Sequence, residues 1–188
     1  MDRKQVVRFI VLLVIVFALF YILNETWWFI RQHAYDKQIR FVATRYGVSP
    51  YLVKAVVWRE SKFSRLAVGK AGEVGLMQVT SGAAKEWAES EHRPAPGQKE
   101  LFKARTNLEA GAWYLSRALE RWKECDDPVP FALAEYNAGR SNVLKWRAKL
   151  SSPKDSKEFI ANIGIASTRR YVQDVRAIEK KLERRGRL

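Results

Sequence analysis

The hydrophobic pattern of the chain is most pronounced near its start. Residues 9–23 form an uninterrupted apolar run, and residues 6–24 nearly supply the length that crosses a bilayer, about 20 apolar residues in a helix. Tyr21, Trp27 and Trp28 occupy the places of an interfacial aromatic belt. The pattern predicts one membrane-spanning helix, with the anchor and its aromatic flank over residues 9–30.

Basic residues predict the direction in which this helix crosses the membrane. Arg3, Lys4 and Arg8 precede the apolar run, so residues 1–8 should stay in the cytoplasm. The rest of the chain should then lie on the periplasmic or extracytoplasmic side of the inner (cytoplasmic) membrane. A cleaved signal peptide is the first alternative, but residues 21–25 offer no small-x-small cleavage site. A buried soluble helix is the second, but such helices are rarely apolar all round. A retained single-pass anchor is therefore favoured.

Almost every periodic segment after residue 30 has the spacing of an amphipathic helix. Residues 66–79 are the exception, since their glycines predict a loop with short strands. Thr80 should cap a brief helix through Trp87, and residues 106–109, Thr-Asn-Leu-Glu, have the pattern of a capping box. The sequence pattern therefore predicts a single, mainly α-helical domain over residues 35–185. Its further helices should cover residues 35–46, 50–60, 108–122, 128–138, 141–150 and 168–185, with a turn at 151–156.

One carboxylate lies on an apolar helix face. Val53, Val56, Val57 and Glu60 recur at helical spacing, behind a start at which Ser49 can cap and a proline suits the first position. A carboxylate in such a stripe loses water, which raises its pKa toward the range that a general acid needs. The alternative is a structural glutamate that reaches solvent or pairs with a neighbouring arginine. Glu60 is the candidate catalytic residue.

Composition narrows the choice of partners. Lys and Arg total 34 against 20 Asp and Glu, and the formal net charge of +14 suits an anionic partner such as nucleic acid, lipid headgroups or the cell wall. The predicted anchor argues against nucleic acid, because it places the domain outside the cytoplasm. The single Cys125 excludes an internal disulfide. His33 and His92 are far apart and outside any metal-binding motif, so a zinc site is not expected.

Several short motifs follow one another in a recognisable order. They are Glu60-Ser61, then the Gly-Leu-Met-Gln of residues 75–78, then the Ala-Glu-Tyr-Asn-Ala-Gly of residues 134–139. Residues 107–115 and 168–172 add further matches. Together they resemble the soluble-lytic-transglycosylase (SLT) domain of glycoside hydrolase family 23, over roughly residues 35–180. The resemblance implies a lysozyme-like fold.

The resemblance also implies a site and a reaction. Glu60 would be the catalytic acid, and six further residues would bind the substrate: Ser61, Met77, Gln78, Tyr136, Asn137 and Tyr171. The family cleaves the β-1,4 bond between N-acetylmuramic acid and N-acetylglucosamine in peptidoglycan and leaves a 1,6-anhydro end. One acid suffices for this reaction, because the C6 hydroxyl of the substrate is the nucleophile, and no cofactor is needed.

The chain departs from the family pattern at four positions. Ala166 and Ser167 stand where Pro and Glu are common, and Glu73 and Glu135 stand where small residues are usual. Each of the two glutamates is either a second catalytic carboxylate or, more simply, a solvated or salt-bridged side chain.

Two other functions stay open at this stage. One is a hydrolytic, lysozyme-type muramidase, and the other is a non-catalytic module that binds peptidoglycan within an envelope-spanning assembly. Protein partners of such an assembly are not indicated by any residue pattern.

Overall fold

The structure is a computed structural model that describes residues 2–186 and 188, and it divides into two compact units. The first unit, ending at Tyr35, contains helix α1 (Arg3–His33), in which no residue is buried. Among the described residues, one continuous helical stretch is long and apolar enough to cross a membrane, and α1 lies within it. The predicted N-terminal apolar helix is therefore confirmed as a helix.

The second unit, residues 36–188, is helical, and the described residues include no named strand. Only isolated bridges join Val74 to Val68 and to Val79 within the predicted loop. The prediction of a mainly α domain is thus confirmed. The nine helices of the described part of this unit are α2 (Asp36–Tyr46), α3 (Pro50–Ser61), α4 (Ser81–Ser90), α5 (Gln98–Leu101), α6 (Ala104–Arg121), α7 (Pro128–Ala138), α8 (Arg140–Arg147), α9 (Ser156–Asn162) and α10 (Ala166–Arg185).

Helix α7 lies at the centre of this unit. It packs against α6, α8, α9 and α10, while α3 packs against α10 and α2. The apolar side chains of α7 are buried on almost every face, as a central helix requires. The core around it is formed by fully buried side chains from five helices, including Val53, Val57, Leu108, Leu115, Phe131, Phe159 and Val175.

Helix starts follow the capping residues that the sequence indicates. The Ser49 hydroxyl accepts a hydrogen bond from the Leu52 N–H, and the Thr80 hydroxyl accepts one from the Ala83 N–H. At the end of α7, Gly139 has φ +82° and ψ 152°, a conformation that is essentially open to glycine alone. These residues fix where the chain turns between helices, and therefore where the site-bearing loops begin.

Three details of the sequence prediction were wrong. Helix α6 begins at Ala104, so residues 106–109 lie inside the helix and form no capping box. Thr106 is the third residue of the helix and not its cap, and the Glu109 carboxylate accepts from the Arg105 guanidinium (3.1 Å). Helix α9 was not predicted, because its seven residues are too few to show a period. Helix α4 runs on to Ser90, three residues past the expected end.

Candidate active site

Glu60 lies in the last turn of α3, directly before the chain leaves the helix. Ser61 ends α3, and Lys62 and Phe63 then take left-handed conformations with φ of 51° and 60°. Such conformations are uncommon for residues other than glycine. They turn the chain sharply toward residues 66–79, so that the loop returns beside Glu60.

The surroundings of Glu60 favour its protonated form. The pKa of this carboxyl is raised from its ordinary value of 4.5 to about 7, because burial and, to a smaller extent, the negative charge of Glu73 disfavour the ionised form. The Tyr171 hydroxyl and the Arg59 guanidinium act in the opposite direction. Burial is the largest of these effects. Near neutral pH the side chain is therefore divided between acid and carboxylate, so that it can both donate and accept a proton.

The loop of residues 66–79 is held by its backbone from three sides. The Ser61 hydroxyl donates to the Leu76 carbonyl (2.8 Å), and the Tyr136 hydroxyl donates to the Met77 carbonyl (2.7 Å). The Asn107 amide accepts from the Met77 N–H (2.8 Å) and donates to the Val74 carbonyl (2.8 Å). Helices α3, α6 and α7 thus fix one loop in place.

A glycine inside this loop is required by its geometry. Gly75 has φ +81°, and a β-carbon at this position would lie 2.6 Å from the side-chain carbon of Asn107 and 2.9 Å from the Leu101 carbonyl oxygen. Both the backbone conformation and the close approach of Asn107 exclude a larger residue. The glycine of the Gly-Leu-Met-Gln motif is therefore what brings the loop against α6.

A cleft of about 340 Å³ opens beside this loop. Gln78 and Thr80 line one wall, while Tyr136, Asn137 and Gly139 at the end of α7 line another. Aromatic, amide and hydroxyl groups in one concave surface can bind a neutral polar ligand with apolar ring faces, such as a sugar.

Three predicted site residues are brought together in this cleft. Gln78 has φ +47°, and its amide nitrogen donates to the Gly75 carbonyl (3.0 Å). The Asn137 amide oxygen accepts from the Thr168 hydroxyl of α10 (2.8 Å). The Tyr136 ring packs edge-on against Tyr114, with 5.7 Å between ring centroids. Each of the three side chains is therefore held in one orientation before a ligand arrives.

Four other predicted site residues are not among those that line the cleft: Glu60, Ser61, Met77 and Tyr171. Ser61 is buried and its hydroxyl is used by the Leu76 carbonyl, as described above. Met77 is fully buried, and its sulfur lies so close to Gly111 of α6 that a β-carbon there would be 2.5 Å away. In this structure both side chains support the loop from beneath, and neither is among the residues that line the cleft.

Tyr171 is a neighbour of Glu60 on the last helix, α10. Its hydroxyl is buried, and among the described residues it makes no hydrogen bond of normal geometry. Burial is the main cause that raises its pKa well above 10, and the charge of Glu60 adds to this. The phenol therefore stays protonated beside the carboxylate, where it can act as a hydrogen-bond donor to the anionic form.

The two additional glutamates have different environments. Glu135 is almost fully buried, is paired with Arg121, and accepts a hydrogen bond from the Trp122 indole (2.8 Å). It is thus salt-bridged, as the simpler interpretation predicted. Glu73 is half-buried and accepts from the Ala71 N–H (3.0 Å), and its charge acts on Glu60. Glu73 is therefore the second carboxylate that the structure places near the candidate acid.

Sequence reasoning missed several residues that build the site. Asn107, Tyr114 and Thr168 stand out in the sequence only as members of the motifs, which predict no individual role for them. Their roles depend on contacts between distant segments, which leave no local periodic signal. No group of three or more His, Cys, Asp or Glu side chains in the described residues could hold a metal ion.

Comparison with known proteins identifies the family. The family model described as the transglycosylase SLT domain matches residues 37–159, which is more than half of the chain. The chain belongs to the transglycosylase SLT domain family. This confirms the resemblance carried by the sequence motifs. The match covers α2 to α8 and thus includes Glu60, the loop and the cleft.

SLT-domain proteins from several bacteria are similar to this chain. The soluble lytic murein transglycosylase of Salmonella typhimurium (strain LT2) is 30% identical over 72% of the chain and 21% of its own length. The membrane-bound lytic murein transglycosylase F of Desulfosudis oleivorans is 29% identical over 73% of the chain and 28% of its own length. The chain thus spans about a quarter of the length of these relatives.

A solved structure shows the same fold. It is an inactive mutant of the lytic transglycosylase Slt from Pseudomonas aeruginosa, with a TM-score of 0.72 and 27% identity over 80% of this chain and 25% of that one. This structural similarity confirms the lysozyme-like fold class that the motifs predicted.

Proposed function

We propose that this SLT-domain chain is a membrane-anchored lytic transglycosylase. It cleaves the β-1,4 bond between N-acetylmuramic acid and N-acetylglucosamine in peptidoglycan and forms a 1,6-anhydromuramic end. The observation that carries the proposal is Glu60, a carboxyl with a pKa of about 7 whose charge acts on the hydroxyls of Tyr136 and Tyr171, and Tyr136 also lines the polar cleft. Similar proteins are named as lytic murein transglycosylases, which supports this reaction.

Glu60 serves first as acid and then as base in the proposed mechanism. Its proton passes to the glycosidic oxygen as the bond from that oxygen to muramic C1 breaks. The resulting Glu60 carboxylate takes the proton of the muramic C6 hydroxyl, whose oxygen bonds to C1 of the same ring. No water enters the products, and Glu60 ends protonated. Because the attack is intramolecular, a high effective concentration of nucleophile replaces a bound water.

The other site residues have supporting roles in this proposal. The Tyr171 phenol orients the Glu60 carboxylate formed in the first step, while Gln78, Tyr136 and Asn137 contact the sugars. Ser61 and Met77 act on the substrate through the loop whose backbone and packing they fix. The inactive Slt mutant named above carries glutamine in place of a glutamate, which supports one essential carboxyl in this fold.

Helix α1 is the proposed anchor in the inner membrane. Residues 9–30 would cross the bilayer and its interface, with the basic residues 1–8 on the cytoplasmic side and residues 35–185 on the periplasmic or extracytoplasmic side. The exposed apolar side chains of α1 support this placement, since none of the residues in this helix is buried. The name of the membrane-bound relative supports attachment to a membrane.

Mass spectrometry of glycan fragments tests the reaction. The chain is incubated with purified peptidoglycan, beside Glu60→Gln and, as a matched control, Glu89→Gln, which changes an exposed glutamate of α4 outside the cleft. Fragments that lack one water at the muramic end, absent only with Glu60→Gln, are expected. Ordinary reducing ends would indicate a hydrolase with Glu73 as the base that activates water. Binding of the polymer without any cleavage would indicate a non-catalytic binding module.

A further inference from the structure

A second cavity continues the proposed substrate cleft along α4 and α6. It encloses about 390 Å³, and its walls are formed by Glu86, Ser90, Trp113, Tyr114, Arg117 and Arg121. We call it the side pocket. Glu86 and Tyr114 line both the side pocket and the cleft, so the two spaces adjoin. A branch on a polymer that occupies the cleft could therefore enter the side pocket.

Guanidinium groups give the side pocket its chemical character. Trp113, Arg117 and Arg121 are spaced four residues apart on α6 and so lie on one helix face. Arg121 uses one nitrogen for Glu135, and its side chain remains 31% exposed, which leaves donors available. Arg117 is exposed, and within the described residues it has no hydrogen-bond or ion-pair partner. One guanidinium in the pocket is therefore available to a ligand.

A planar guanidinium with free donors binds carboxylates in a bidentate manner. The pocket also offers the half-buried Trp113 ring as an apolar wall beside Arg117. The acidic group opposite is Glu86, which is exposed and disfavours a ligand of higher negative charge. The combination fits a side chain that carries an isolated carboxylate and some apolar surface.

We propose that the side pocket binds the carboxylate-bearing branch of muramic acid. This inference rests on the proposed function, because peptidoglycan has to occupy the cleft. Its N-acetylated sugars are neutral, and the carboxylates lie on the lactyl branch, either in the attached peptide or, where the peptide is absent, in the lactyl group itself. Arg117 is the residue that recognises this charge, and Trp113 packs against the branch.

Binding of soluble fragments to the full chain in detergent tests the proposal. Calorimetry compares three ligands: a disaccharide with its peptide, the same disaccharide with only the lactyl carboxylate, and a carboxylate-free N-acetylglucosamine oligomer. Each is measured with the wild type, Arg117→Gln and the control Arg184→Gln, which changes an exposed arginine of α10. Loss of one charge-assisted contact should weaken binding by about tenfold.

The pattern of affinities distinguishes the sources of the carboxylate. A loss with Arg117→Gln confined to the peptide-bearing ligand supports recognition of the peptide. A loss confined to the peptide-free disaccharide supports recognition of the lactyl carboxylate, which the peptide-bearing ligand lacks because it is amide-linked there. Equal losses for both carboxylate ligands, with the oligomer unchanged, support recognition of whichever carboxylate the branch carries. Equal affinities of Arg117→Gln and wild type for all three ligands would overturn the proposal.

The proposed reaction can fail separately from this inference. Wild-type cleavage of whole peptidoglycan, measured in the same preparations, reports on the reaction alone. Cleavage with no effect of Arg117→Gln overturns only the side pocket. Tight binding that depends on Arg117, without cleavage, overturns only the reaction.

Discussion

Asn107 is expected to be the side chain whose loss most weakens the attachment of the loop of residues 66–79. It is 1% exposed, and its amide makes three hydrogen bonds to backbone groups: one from Met77 N–H (2.8 Å) and two to the carbonyls of Val74 (2.8 Å) and Leu101 (2.9 Å). Replacement by alanine removes all three bonds and leaves their buried backbone partners unsatisfied. At about 1 kcal/mol for each bond, the free energy of unfolding should fall by about 3 kcal/mol.

Urea unfolding followed by circular dichroism measures this loss. Asn162→Ala is the matched control, because its amide also donates to one backbone carbonyl, that of Glu158 (2.9 Å), at an exposed site. It should cost less than about 1 kcal/mol. Equal midpoints for Asn107→Ala and Asn162→Ala, with unchanged slopes, would refute the reasoning that the buried amide fastens the loop.

Two further outcomes follow from buried carboxyl groups. The folded-state pKa of Glu60 is raised, so its contribution to stability is fully present below pH 4.5 and is lost as pH rises through about 7. Glu60→Gln should therefore be more stable than wild type at pH 8 and similar at pH 4, which thermal unfolding at both pH values checks. Glu135→Ala leaves Arg121 without its partner and the Trp122 indole without its acceptor, and should lower the free energy of unfolding by about 3 kcal/mol. Denaturation with Glu135→Gln beside it tests this, and a loss of cleavage without a loss of stability would contradict the structural role.

The helices could be predicted because they are local. Periodicity indicated α3, α6, α7 and α10, and capping residues marked the starts of α3 and α4 correctly. The capping-box prediction at residues 106–109 was wrong because α6 begins earlier, at Ala104, behind a residue that makes no side-chain cap bond. Local sequence also cannot show that the Asn107 amide bonds to the backbone of a loop about 30 residues away.

The site was predictable in its chemistry and less so in its geometry. The apolar stripe of α3 correctly indicated a raised pKa for Glu60. The motifs also brought forward Gln78, Tyr136 and Asn137, which the structure gathers in the cleft. Ser61 and Met77 share the same motifs but lie beneath the loop. A motif therefore records that residues belong to a site, while the packing of separate helices decides which of them face the ligand.

The way in which the loop of residues 66–79 is fastened has a consequence for how such a protein can evolve. Ser61, Asn107 and Tyr136 all bond to main-chain atoms of the loop. Main-chain groups are present whatever side chains the loop carries, so most loop positions can be exchanged without loss of these bonds. Substitutions within the loop can therefore change which ligands the cleft prefers, while the surrounding helices keep the backbone of the loop in the same shape.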